Sequence, residues 1–183
     1  MPTAQPSPKA IAVYLAGPDV FFSDHPQRYA ALKAACLQHG LQGHSPLDNV
    51  LALGACASAN AHAIYQANVQ LIGQCDAVLA HLGDFRGCEP DAGTVFEVGY
   101  AIAQGKPVVA WGQGLAQDYR QRVRQQLALA TDAVHDAQQA EIENFGLPLN
   151  LMLACACIEV TETAAQAVAA LAKHLQTAPQ PLR

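Results

Sequence analysis

Short, almost wholly apolar runs alternate along the chain with longer stretches of helical spacing. The runs are Ile11–Ala16, a weaker Leu41–Ser45, Asp76–Leu82, Lys106–Trp111 and Cys157–Val160. Each is too short for a helix and too continuous for a strand with one wet face, so buried parallel strands are predicted. The helical spacing predicts helices over Pro26–His39, Ala61–Gln74, Gly93 or Thr94 to Gln104, Ala116–Thr131, and Glu162–Leu175. Their punctuation agrees: proline opens the first, Gly40 and Gly105 follow two of them, and Thr161 stands where a cap is wanted. Strand and helix in turn imply an α/β fold: a three-layer sandwich with a parallel sheet of four to five strands, flavodoxin- or Rossmann-like. The first strand runs into a lone Gly17-Pro18 turn, so there is no dinucleotide fingerprint and no case for NAD. Strand order is left open by the pattern.

Three stretches resist the alternation. Residues 50–60 are small and uncharged, and read as a mobile flap or a short helix. Gly112-Gln113-Gly114 fails the phosphate-loop spacing and reads as a turn. Glu141–Leu153 sets Asn150 among apolar residues on both sides, which suits either a subunit contact or a helix packed on its own sheet. One domain over residues 11–176 is expected, between a flexible segment at 1–10 and a frayed end at 177–183.

Composition then narrows the class. A hydrophobic fraction of 51% and a net charge of −5 belong to a globular chain, and 10 lysines and arginines without a run disfavour a nucleic-acid polymer as partner. No apolar stretch is long enough to cross a membrane and no signal core precedes the first strand, so a cytoplasmic location is expected. The six cysteines lack ligand spacing; they read as mostly buried free thiols, with no metal and no cofactor called for. Cys88, near a helix start, is the one thiol with any claim to a lowered pKa.

Candidate chemistry concentrates at Gly83–Ala101. Only 14% of residues are charged, yet this stretch holds Asp84, Arg86, Glu89, Asp91 and Glu97. Asp84 and Glu89 read as solvated loop acids. Glu97 does not, because Val95, Phe96, Val98, Tyr100 and Ala101 make its helix largely apolar, and a carboxylate there is rarely for solubility. Asp91 at the helix mouth and Glu97 beyond it can meet across a small reacting centre at the carboxyl end of a strand. Tyr14 is either a satisfied core tyrosine or a hydroxyl reaching those carboxylates. Asn68 falls on the inward stripe of its helix, with Ile64, Leu71, Ile72 and Cys75, and needs a partner. Asp48 and Asn49 serve a turn or a ligand equally well. Arg120, Arg122 and Arg124 look like surface, worth little beyond solubility unless one reaches a substrate phosphate.

With these residues placed, the chain resembles the nucleoside 2-deoxyribosyltransferase family over nearly its whole length. The resemblance runs through Tyr14-Leu15-Ala16-Gly17-Pro18, Pro46-Leu47-Asp48-Asn49, Asn68 and Cys75-Asp76-Ala77-Val78. It is densest in Phe85-Arg86-Gly87-Cys88-Glu89-Pro90-Asp91 and Gly146-Leu147-Pro148-Leu149-Asn150-Leu151-Met152-Leu153, segments of one branch. It implies Glu97 as nucleophile, Asp91 as proton carrier at the base, Tyr14 as the group orienting Glu97, and Asn150 supplied by a neighbouring subunit to the sugar 5'-hydroxyl. Gly17, Asp19, Phe22, Asp48 and Asn68 are further substrate-binding expectations, as are Phe85, Arg86, Gly93 and Met152. Asn68 stands where a better-known bacterial branch has aspartate, which leaves Asp91 the main candidate for proton handling.

The implied reaction moves a 2-deoxyribosyl group from a deoxynucleoside to a free purine or pyrimidine base through a glutamyl ester, with retention at C1. The alternative is an N-glycosidase acting on deoxynucleosides or their 5'-monophosphates. The helix N-terminus is expected to favour ionised Glu97, and Glu97 to raise the pKa of Asp91. Phe21, Phe22 and Phe85 are candidates to cover a stacked base. Partners are small-molecule deoxynucleosides and nucleobases, and a homo-oligomer with a shared active site is expected.

Overall fold

The computed structural model describes residues 10–177, so the expectations for the extreme ends lie outside the described residues. Five parallel strands form one sheet in the order β2-β1-β3-β4-β5. They are β1 (Ile11–Ala16), β2 (Leu41–His44), β3 (Ala77–His81), β4 (Val108–Trp111) and β5 (Glu159–Thr161). The helices are α1 (His25–Gln38), α2 (Ala57–Gln74), α3 (Ala92–Ala103), α4 (Tyr119–Gln126), α5 (Leu151–Ala156) and α6 (Ala164–Thr177).

The strand pleat sorts the core into two halves. Val13 and Leu15 of β1 face Tyr29, Leu32 and Cys36 of α1 and Val168 and Leu171 of α6. Tyr14 and Ala16 face the other way, with Ile72 of α2 and Val98 and Ala101 of α3. Both faces of the sheet are therefore covered, as the continuous apolar runs require, and each buried aliphatic contributes about 1.5–3 kcal/mol. Because β1 pairs with β2 on one side and β3 on the other, the chain reverses its winding direction at β1. The crevice beyond the carboxyl ends of β1 and β3 is where such sheets bind ligands.

Several boundaries move, each for a local reason. α2 starts at Ala57, absorbing part of the ambiguous stretch, while residues 50–56 have no regular structure and are pinned where Asn60 bonds both Gly54 N and Gly54 O. Thr161 is a strand residue whose hydroxyl donates to Ala110 O; the cap of α6 is Thr163, exchanging bonds with Gln166. That helix continues to Thr177 rather than fraying there. The turn at Gly112 is compulsory, since a Cβ there would lie 2.4 Å from Gly83 N and nothing in that backbone can yield.

The largest correction concerns the polar segment after β4. Its helix is only Tyr119–Gln126, and its arginines are staples rather than surface charge. Arg122 is 4% exposed; it pairs with Asp84 and donates to Pro148 O at 3.2 Å. Arg120 donates twice to Ile142 O and Arg124 to Ala133 O, holding the long segment 127–150 against α4. Asp84 is therefore no solvated acid, and Glu89 accepts from the Tyr119 hydroxyl. The cysteines are less hidden than expected: Cys36, Cys75 and Cys157 are buried, Cys88 is half-buried, and Cys56 and Cys155 are exposed.

Candidate active site

Tyr14 and Glu97 are brought together from positions far apart in sequence. The Tyr14 side chain leaves the centre of β1 on the α3 face, and its hydroxyl donates to Glu97 Oε1 at 2.5 Å. Burial drives the Tyr14 pKa far up, so the phenol keeps its proton and acts as a donor. Asp91 is the N-cap of α3, its Oδ2 accepting from Thr94 N at 2.9 Å and Thr94 Oγ1 at 3.0 Å. Oδ1 has no partner among the described residues. Asp91 and Glu97 thus sit about one and two-thirds turns apart on one helix, and both line the same cavity.

That cavity measures about 500 Å3 and opens at the carboxyl ends of β1 and β3. Its polar groups are Asn49, Asn68, Asp91, Thr94 and Glu97, and its walls include Val20, Phe21, Leu47, Leu51, Leu53 and Ile64. A mostly apolar pocket with few convergent polar groups suits a flat, partly apolar ligand. Asn49 Nδ2 donates to Asn68 Oδ1 at 3.4 Å, so the inward amide of α2 is paired across the cavity wall. Ile64, placed on the inward stripe by its spacing, is 41% exposed because that face of α2 borders the cavity instead of the core.

The electrostatics depart from expectation at the nucleophile candidate. Burial pushes the Glu97 carboxyl up to about 7, the Tyr14 hydrogen bond holds it down, and the Asp91 charge adds to the rise. The helix N-terminus does not win, since Glu97 lies in the second turn of α3 and the dipole fades within the first. Cys88 goes the opposite way from expectation too: desolvation and Glu89 push its thiol up, so it is no thiolate.

Other expected residues are close to the cavity without lining it. Asp48 is absorbed by a capping arrangement, accepting from Ser45 N, Ser45 Oγ and Lys33 Nζ. Asp19, 2% exposed, pairs with His81 Nδ1 at 2.9 Å and Arg28 Nη1 at 3.3 Å. His81 stacks on Trp111 with ring centroids 3.9 Å apart. Sequence reasoning misses this group; the available signal is that His81 ends an apolar strand, and only the pairing of β3 with β1 sets it beside the Asp19 turn that follows β1. Gly17 lines the cavity and is required there, because a Cβ would lie 2.8 Å from Asp19 Oδ2 and 2.9 Å from His81 Cβ.

Phe21 lines the cavity and stacks on Phe85 at 5.6 Å, with Phe22 edge-on to Phe85 at 6.3 Å. The Arg86 guanidinium lies over Phe85 and Phe21 at 4.7 and 5.2 Å, and Arg28 lies over Phe22 at 4.1 Å. Phe22, Phe85 and Arg86 thus back the cavity wall rather than form it. Gly93 is on the wall.

Asn150 and Met152 are not on this cavity. Asn150 is the N-cap of α5, and Met152 beside it is 71% exposed. Residues 141–150 are mostly irregular chain leading into α5, whose Leu153 and Ala154 pack on the core of its own sheet while Met152 at its leading corner is turned outward.

A family model described as nucleoside 2-deoxyribosyltransferase matches residues 13–152. Among solved structures, a 2-desoxiribosyltransferase from Leishmania mexicana is 32% identical, covering 90% of this chain and 98% of that one with a TM-score of 0.69. A conserved protein from Enterococcus faecalis V583 shares the fold at 23% identity, 88% and 98% coverage and a TM-score of 0.59. An uncharacterized protein of Schizosaccharomyces pombe is 36% identical over 117 residues, 61% of this chain; the match spans 54% of that relative's length.

Proposed function

The chain belongs to the nucleoside 2-deoxyribosyltransferase family, and from this premise we propose that it transfers the 2-deoxyribosyl group of a 2'-deoxynucleoside to a free nucleobase by way of Glu97. The observation that carries the reading is the Tyr14–Glu97 hydrogen bond inside a cavity shared with Asp91. A Glu97 carboxylate oxygen attacks C1' as the bond from C1' to the base nitrogen breaks. The departing electron pair stays on the base, which takes a proton from Asp91. The incoming base then attacks C1' from the vacated face, gives its proton to Asp91, and frees Glu97. Two inversions retain the anomer.

The sugar lacks a 2'-hydroxyl, so positive charge at C1' develops at lower cost and one carboxylate suffices. Apolar walls limit water, the competing acceptor. Asn150 and Met152, lying away from their own cavity, serve that of a neighbouring copy, so the working unit is a homo-oligomer. Among the described residues no helix is long and apolar enough to cross a membrane, and cytoplasmic nucleoside salvage is the setting we favour.

Incubation with deoxyinosine and adenine, and separately thymidine and adenine, tests the proposal. New deoxyadenosine is the expected result; free base and deoxyribose without it would establish the hydrolase instead. Because Glu97 must be ionised while Asp91 still carries the proton for the departing base, the pair works singly protonated, and kcat/KM should fall as pH rises through about 7, where burial places the Glu97 carboxyl and the last shared proton is lost. A flat profile from pH 5 to 8 would contradict Glu97 as the attacking group.

Tyr14→Phe removes the hydrogen bond that favours the ionised form. The limb near 7 should then move upward, and kcat should fall roughly tenfold to a hundredfold, the range for a hydrogen bond to a charged group. An unmoved limb would show that the phenol does not act on Glu97.

A further inference from the structure

Asn150 has half of its hydrogen-bonding capacity committed within its own chain. Oδ1 accepts from Met152 N at 2.9 Å, which fixes which end of the carboxamide is oxygen, because a backbone amide can only donate. Nδ2 donates to Glu143 Oε1 at 2.5 Å. The other oxygen of the same carboxylate, Oε2, accepts from Leu151 N at 2.9 Å. Glu143 therefore grips both the side chain of Asn150 and the first free amide of α5. Its own place is set by Arg120, which holds the adjoining Ile142 O through Nε at 3.1 Å and Nη2 at 2.7 Å. One Nδ2 hydrogen and one Oδ1 lone pair of Asn150 are left, beside the exposed Met152.

We propose that Glu143 is a positioning residue that turns Asn150 into a single-hydrogen donor for the active site of a neighbouring subunit. The inference rests on the shared-site reading above and adds its chemistry. The remaining Nδ2 hydrogen needs an acceptor, so Asn150 favours sugars that offer an oxygen lone pair on the 5' side. Glu143 acts only through Asn150, so its contribution must disappear wherever Asn150 has nothing to meet.

The test compares kcat/KM for 2'-deoxyinosine and 2',5'-dideoxyinosine, with adenine as acceptor, in the wild type, Glu143→Gln, Glu143→Ala, Asn150→Ala and the Glu143→Ala/Asn150→Ala double variant. The wild type should prefer the 5'-hydroxyl donor. That preference should fall about tenfold in Glu143→Ala and in Asn150→Ala, as for one lost hydrogen bond. Glu143→Gln should fall less, keeping one acceptor oxygen, and the double variant no further than Asn150→Ala alone. An unchanged preference in Glu143→Ala, even with both donors slowed equally, would overturn the inference and leave the transferase reading standing. So would additive losses in the double variant. If Glu143→Ala fails to fold, wild-type preference in Glu143→Gln overturns it. A wild type that makes no deoxyadenosine from either donor would instead refute the transferase reading.

Discussion

A Glu97→Gln protein should lose base exchange by on the order of ten-thousandfold or more, while becoming harder to unfold above pH 7. The loss follows from removing the group that forms the covalent bond; the remaining cavity binds substrate but cannot divide the reaction into two displacements. The gain follows from burial. In the folded chain the Glu97 carboxyl is held near 7, against an ordinary value of 4.5. Between those two values the folded form binds the extra proton, so the contribution to stability is complete below about 4.5 and disappears as pH rises through 7. Above that, the ionised side chain costs up to roughly 3 kcal/mol, which glutamine does not carry. Urea titrations at pH 5 and pH 8 should show the variant's advantage only at the higher pH. Intact-mass spectra of enzyme trapped with deoxynucleoside should show the adduct on the wild type and not on the variant. Exchange at the parental rate would end the case for Glu97.

Arg122→Ala should cost about 3 kcal/mol of folding stability, within the range for breaking a buried ion pair by removing one partner. The guanidinium is buried and meets Asp84, whose side chain is only 21% exposed. Desolvation already raises the Asp84 pKa, with Arg122 opposing it, so removal leaves a carboxylate poorly solvated and unpaired. The same substitution frees Pro148 O and unties the loop that leads into Asp91 from the segment that leads into Asn150. Salt should rescue little of the loss, because the pair is shielded from solvent. A cost below about 1 kcal/mol, or one erased at high ionic strength, would put Arg122 back among the surface cations.

Arg122 also shows where reading the chain in order fails. Three arginines at alternate positions in a polar stretch look the same whether they face water or a carboxylate and carbonyls brought from elsewhere in the chain. Asp84 and Asp48 pose the same difficulty: nothing local distinguishes an unpaired loop acid from one paired with Arg122 or Lys33. Glu97 was legible because its own helix was otherwise apolar, which made a charge there costly and therefore purposeful. The position of Thr163 shows a milder limit. Two threonines lay within reach of one helix start, and only the course of β5 decided which became the cap.

The chain's periodicity by itself determined the alternating α/β architecture, the buried character of the strands, and the standing of Glu97 and Asp91 as the acids to examine, because burial and propensity act over a few neighbouring residues. Strand order, the Tyr14–Glu97 contact, the rise of the Glu97 pKa and the seclusion of Arg122 were decided only in three dimensions. Each of these depends on which distant groups displace water around a given side chain, and solvent exclusion is a property of the packed whole that no short segment encodes.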